Sequence, residues 1–228
     1  MGCANSSAAG NKTAPAKLSP FDARVAKNLE RLKVEYDASK NKVTSFDQII
    51  LKFPKINASF TKVKAMFETC DDDGNGTLDY DEIKPFLAKL GTDSMTDEEI
   101  STVFQEADMY ANKNLTHKEF LVCLALGYVL GDIKVGSGSE LGPELKQAFD
   151  WVLGAYLVFD VKHTGILDKE EVLKQMQAKE GAFKSAGAAS VLSAERWKEM
   201  DWDDDGTITF KEFFWAFQGW ISAEDEDA

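Results

Sequence analysis

The chain has 228 residues, 44% of them apolar, and 39 acids against 26 bases give it a formal charge of −13. That length and apolar content allow a sizeable core in one large or two small domains, while the charge excludes wholesale nucleic-acid binding and favours cations or basic peptides as partners. Three scattered cysteines, Cys3, Cys70 and Cys123, are too few for a disulfide framework or a thiolate zinc site and point to a reducing compartment; no apolar run approaches the roughly 20 residues that span a bilayer.

The charge is uneven along the chain. Residues 1–34 carry six bases and two acids, a net of +4, which leaves −17 for the remainder. Residues 1–20, rich in Ala, Ser, Asn and Pro, read as a flexible arm. The arm begins MGCANSS: Gly2, with Ser6 behind it, fits the N-myristoylation pattern, and Cys3 is placed for palmitoylation. One myristoyl chain binds bilayers with only about 10⁴ M⁻¹, so a second chain or a basic segment is needed for stable anchoring. The arm offers both, which predicts a peripheral, lipid-anchored protein on the cytoplasmic face of a plasma or flagellar membrane.

Residues 21–58 read as an N-terminal helical extension. Phe21, Val25, Leu29, Leu32 and Tyr36 recur at helical spacing, a stripe expected to pack on its own domain rather than lie in lipid. Ser45 to Gln48 has the form of a capping box before an apolar segment that Pro54 should end or bend. Cys70 and Cys123 are expected as small core residues, and His117 and His163 as solvated.

Residues 71–82, DDDGNGTLDYDE, set oxygen-bearing side chains at positions 1, 3, 5, 9 and 12 as Asp71, Asp73, Asn75, Asp79 and Glu82, with Gly76 at position 6. This is the spacing of an EF-hand calcium loop: Ca²⁺ takes six to eight oxygens, so a short loop must wrap the ion and turn at a residue tolerant of positive φ. Thr77 at position 7 supplies its backbone carbonyl and Glu82 a bidentate carboxylate. Residues 201–212, DWDDDGTITFKE, repeat the scheme with Asp201, Asp203, Asp205, Gly206, Thr207, Thr209 and Glu212.

Such loops pair through an apolar residue at position 8. Two weaker copies fit the frame: residues 108–119, with Tyr110 at position 3 and Lys113 at the turn, and residues 160–171, with Lys162 at position 3. Lysine brings positive charge to the ion's place, so these loops are expected to be weak or silent. In chain order the four are loops 1 to 4, and Leu78, Leu115, Leu167 and Ile208 hold position 8.

Over roughly residues 60–220 the chain resembles the calmodulin and troponin C superfamily, and with its arm it is similar to the acylated calmodulin-like and flagellar calcium-binding proteins of plants and protists. The resemblance implies an all-α fold of four EF-hand helix-loop-helix units in two paired lobes. The lobes are expected at 59–130 and 144–222, joined by a hinge over 131–143 and followed by an acidic tail over 223–228. The stretch AKEGAFKSAGAAS is read as a mobile surface insertion in the second lobe. The expected cofactor is Ca²⁺, bound at two working sites, in a sensor without enzymatic activity that engages an amphipathic helix of a target protein; the aromatic run FKEFFWAFQGWI could line part of the groove. A calcium buffer, or a constitutive scaffold or regulatory subunit, remains open on the same residues.

Overall fold

Ser19 starts the first helix. Its hydroxyl accepts the Asp22 N–H at 3.0 Å, and Pro20, with no N–H to lose, opens the first turn. The computed structural model describes residues 18–38, 42–91, 95–168, 172 and 194–223. α1 (Pro20–Ala38) buries Phe21, Val25 and Leu29, so the basic stripe packs on its own chain.

Two helices follow, α2 (Phe46–Ile50) and α3 (Phe53–Cys70). Pro54 does not end a helix: it sits in the first turn of α3, where its missing donor costs nothing. Gln48 Oε1 accepts the N–H of Thr44 at 3.1 Å, one residue before the Ser45 N–H that the expected box would use. The boundary expected between residues 58 and 59 falls inside α3, because one buried stripe from Phe53 to Cys70 keeps that helix continuous.

α4 (Tyr80–Leu90), α5 (Asp97–Ala107), α6 (His117–Leu130), α7 (Pro143–Phe159), α8 (Ala194–Met200) and α9 (Phe210–Ala223) complete the described helices. None of the described helices is long and apolar enough to cross a membrane. The remaining regular structure is a two-stranded antiparallel ladder, β1 (Leu167–Asp168) with β2 (Thr207–Ile208), and it places Leu167 opposite Ile208. Leu78 and Leu115 face each other in the same way, exchanging two backbone bonds of 2.8 Å. All four position 8 residues are fully buried.

The two loop pairs share one core. Phe214 and Phe217 of α9 meet Phe60 and Phe53 of α3 at 5.6 and 5.3 Å between ring centres. α6 is buried on almost every side, since α1, α3, α5 and α9 all contact it. The segment expected as a hinge is bonded and partly buried against the rest of the chain. Gly131, at φ +78°, ends α6 in the left-handed region; Lys134 N–H then donates to Leu90 O at 2.8 Å, and Ile133 and Leu141 are buried. Those two apolar anchors outweigh the glycines and serines between them. Arg24 of α1 grips Asp132 with two bonds of 2.9 Å.

The acylation residues Gly2 and Cys3, nearly all of the arm and acidic tail, and the insertion lie outside the described residues.

Candidate metal centre

In loop 1 the chain folds its oxygens inward around its own N–H groups. Asp71 accepts the N–H groups of Asn75 and Gly76 at 3.1 and 2.9 Å. Asp73 also takes that of Asn75 at 3.0 Å, and Asn75 Oδ1 takes that of Thr77 at 2.8 Å. Gly76 makes the turn at φ +82°, a conformation that side chains resist. Glu82 reaches back from α4: Oε1 accepts Asp72 N–H at 3.0 Å and Oε2 accepts Asp79 N–H at 2.9 Å. Carboxylate oxygens of Asp71, Asp73 and Glu82 lie within 4.8 Å of one another.

Loop 4 repeats this geometry. Asp201, Asp203 and Asp205 bring carboxylate oxygens within 4.8 Å of one another, and Gly206 turns at φ +86°. Glu212 accepts Trp202 N–H at 3.1 Å through Oε1 and Thr209 N–H at 2.8 Å through Oε2. Thr209 Oγ1 donates to the same Oε2 at 2.6 Å, so its hydroxyl serves helix capping. Thr207 Oγ1 donates to Asp205, which leaves the backbone carbonyl as the free oxygen at position 7. Asp79 likewise caps α4 by accepting Glu82 N–H at 3.0 Å. The capping signature of positions 9 and 12 stands in the sequence as Asp79 to Glu82, Thr116 to Glu119 and Thr209 to Glu212.

Loop 2 keeps the frame and loses the charge. Asp108 accepts the N–H groups of Asn112 and Lys113, and Glu119, fully buried, accepts those of Tyr110 and Thr116. Lys113 holds the turn at φ +67°, the strained substitute for glycine. In loop 3 Lys162 pairs with Asp168, so the position 9 acid is neutralised within the loop; Glu171 lies outside the described residues.

Residues 60–121 match the family described as an EF-hand domain pair. Over 215 residues the chain is 31% identical to probable calcium-binding protein CML22 of Arabidopsis thaliana, with 92% of each chain covered. The chain belongs to the EF-hand calcium-binding family. Probable calcium-binding protein CML21 of the same plant is 33% identical over 186 residues, covering 80% of this chain and 78% of the relative. Calcium-dependent protein kinase 9 of Arabidopsis thaliana is 30% identical over 151 residues, a match that takes in only 24% of the kinase.

Calcium, the ion of the family, suits an all-oxygen donor set of this kind. In loop 1 the EF-hand offers Asp71, Asp73, Asn75, the Thr77 carbonyl and Glu82; in loop 4 it offers Asp201, Asp203, Asp205, the Thr207 carbonyl and Glu212. The loops differ in setting. Burial pushes the Glu212 carboxyl above its ordinary range against the bonds from Thr209. Burial, with Asp205 and Asp201 alongside, does the same to Asp203. A divalent cation relieves that repulsion.

Loop 4 is also wired to its surroundings in ways that local spacing does not announce. The Trp202 indole N–H donates to Met109 O in loop 2 at 3.2 Å. Trp202, Tyr110 and Trp215 meet edge to face with centres 5.5 to 5.9 Å apart. Lys211 binds Glu106 at 2.6 Å and stands 3.7 Å from Asp22 of α1. The Trp197 indole donates to Asp201 Oδ2 at 3.3 Å.

Cys70 and Cys123 are buried, as expected, and burial pushes the Cys123 thiol up to about 12. His163 is exposed. His117 is not solvated: its Nε2 is buried without a partner, its ring packs edge-on to Phe67 at 5.8 Å, and desolvation lowers its pKa.

Proposed function

We propose that this chain is a calcium sensor tethered to the cytoplasmic face of a membrane, with working sites in loops 1 and 4 and silent partners in loops 2 and 3. The observation that supports it is the pair of inward-folded carboxylate sets, Asp71, Asp73 and Glu82 in one and Asp201, Asp203 and Asp205 in the other. Gly2 and Cys3 supply the tether through two acyl chains, and retraction of both into one protein pocket is costly at about 0.8 kcal/mol per CH₂. Membrane residence is therefore constitutive, and Ca²⁺ changes the shape of a body already in place. The changed body engages an amphipathic target helix and has no catalysis of its own.

Apolar dye binding with and without Ca²⁺ is the deciding experiment. A sensor shows new apolar surface on ion binding; two bound ions with unchanged dye signal mean a buffer. One observation favours that second reading: Phe213, Phe214, Phe217 and Trp220 of α9 are all buried, and α9 packs on α3, α6 and α7, leaving little surplus for a groove.

A further inference from the structure

Leu51 stands at the turn between α2 and α3 and is 78% exposed, more than any other large apolar residue among those described. A single exposed leucine is unremarkable by itself. Its surroundings make it informative. Leu51 edges a cleft of about 360 Å³ whose lining includes Lys42, Lys52, Gln147 and Trp151 and, among the described residues, holds no carboxylate. The Lys52 ammonium lies 5.6 Å above the Trp151 ring. Among the described residues neither Lys42 nor Lys52 is engaged in an ion pair, whereas Lys33 and Lys146 nearby are taken up by Asp37 and Asp150. In a chain of net charge −13 this sets two lysines without a close carboxylate partner among the described residues beside an apolar tip, with Asp37, held by Lys33, the acid that Lys42 feels.

We propose that this face docks on an anionic membrane surface, with Leu51 entering the headgroup boundary, Lys42 and Lys52 on lipid phosphates, and Trp151 beside them. The proposal deepens the tethered reading and rests on it for the membrane's being at hand. A soluble phosphate or acidic peptide would satisfy the lysines and leave Leu51 in water. A bilayer interface rewards base, indole and aliphatic tip together.

The geometry allows the face and the tether to act at once. Val43 N–H donates to Tyr36 Oη at 2.7 Å, which fixes the cleft beside the last turns of α1. The arm joins α1 at the other end, about 28 Å away for 19 residues of helix. Residues 1–17 can span at most about 60 Å, so the arm's length does not hold the cleft off the bilayer.

The test uses the full chain carrying Gly2→Ala, which has no myristate, and sedimentation with phosphatidylcholine vesicles with or without about 30% phosphatidylserine. The expected result is weak, salt-sensitive binding to the anionic vesicles alone. Lys42→Gln with Lys52→Gln should weaken it about 25-fold, at about fivefold per lysine, and Leu51→Ser about tenfold. Leu51 is exposed, and an unchanged thermal midpoint shows that the variant is folded. Binding unaltered by Leu51→Ser would mean that the basic arm alone holds the vesicle and would overturn the proposal. Release by inorganic phosphate beyond that given by chloride of equal ionic strength, again indifferent to Leu51, would mark a soluble-anion cleft and overturn it too. Loss of the lipid anchor is read separately: if Gly2→Ala leaves the membrane fraction of cells unchanged, the tether fails while the vesicle result stands.

Discussion

Glu82 and Glu212 each close a loop and start a helix with one carboxylate. Glutamine keeps an oxygen to accept the capping N–H but loses the charge that Ca²⁺ requires. Glu82→Gln and Glu212→Gln should therefore each remove one bound ion in titration calorimetry while far-ultraviolet circular dichroism stays the same. The two single-site variants also separate the loops by acidity. Because the Glu212 and Asp203 carboxyls are raised above their ordinary range, they take up protons at higher pH than free carboxylates do. Protons compete with the ion, so on mild acidification loop 4, isolated by Glu82→Gln, should lose affinity before loop 1, isolated by Glu212→Gln. Equal losses in both variants would contradict this. The Trp197 indole touches Asp201, and Trp202 sits at position 2 of loop 4 with its backbone N–H on Glu212, so the emission change on adding Ca²⁺ should shrink in Trp197→Phe and Trp202→Phe but persist in Trp151→Phe. At this scale the sequence was highly readable, because every ligand position is set by spacing within twelve residues. The Trp202 indole was not, since its acceptor, Met109 O, lies 93 positions away.

Among the elements, α1 was legible as a helix and its buried side was legible from the four-residue repeat of Phe21, Val25 and Leu29. What it rests on was not. Gly165 of loop 3 comes so close that an added Cβ would meet Ala26 Cα at 2.5 Å, a fit that no periodicity in either segment describes. Leu29 is fully buried and Val34 is 72% exposed. Leu29→Ala should accordingly cost about 2–5 kcal/mol in urea unfolding, and Val34→Ala within about 0.5 kcal/mol. Comparable small losses from both would show that α1 contributes little to the core. The contacts of the connector after α6 were hidden for a related reason: glycine and serine signal turns, but the burial of Ile133 and Leu141 depends on what lies across from them.

For the molecule as a whole, the four loops and their pairing partners were visible in the sequence, while the merging of the pairs was not. Lys211 with Glu106 and Gln218 with the Lys118 carbonyl join residues 105 and 100 positions apart. Such contacts follow from the shapes of assembled surfaces, not from any local pattern. One core predicts one transition, so thermal unfolding should be a single step in which both loop pairs melt together. Saturating Ca²⁺ should raise the stability by about 2.7 kcal/mol for each site held at a hundredfold excess over its Kd. Two ions per chain give twice that, and a chemical-denaturation series at fixed free Ca²⁺ measures it.

The Lys211 clasp has a consequence for how affinity is to be measured. Lys211 immediately precedes the glutamate that completes loop 4, and it holds Asp22 in the first turn of the helix from which the arm departs. If ion binding at loop 4 tightens that grip, thermodynamic reciprocity requires that a load on the arm alter the affinity of loop 4 by the same free energy. A chain attached to vesicles through its arm and a chain free in a cuvette are then different receptors for the same ion. Titrations on vesicles and in solution should disagree for loop 4, agree for loop 1, and converge when Lys211→Met cuts the connection.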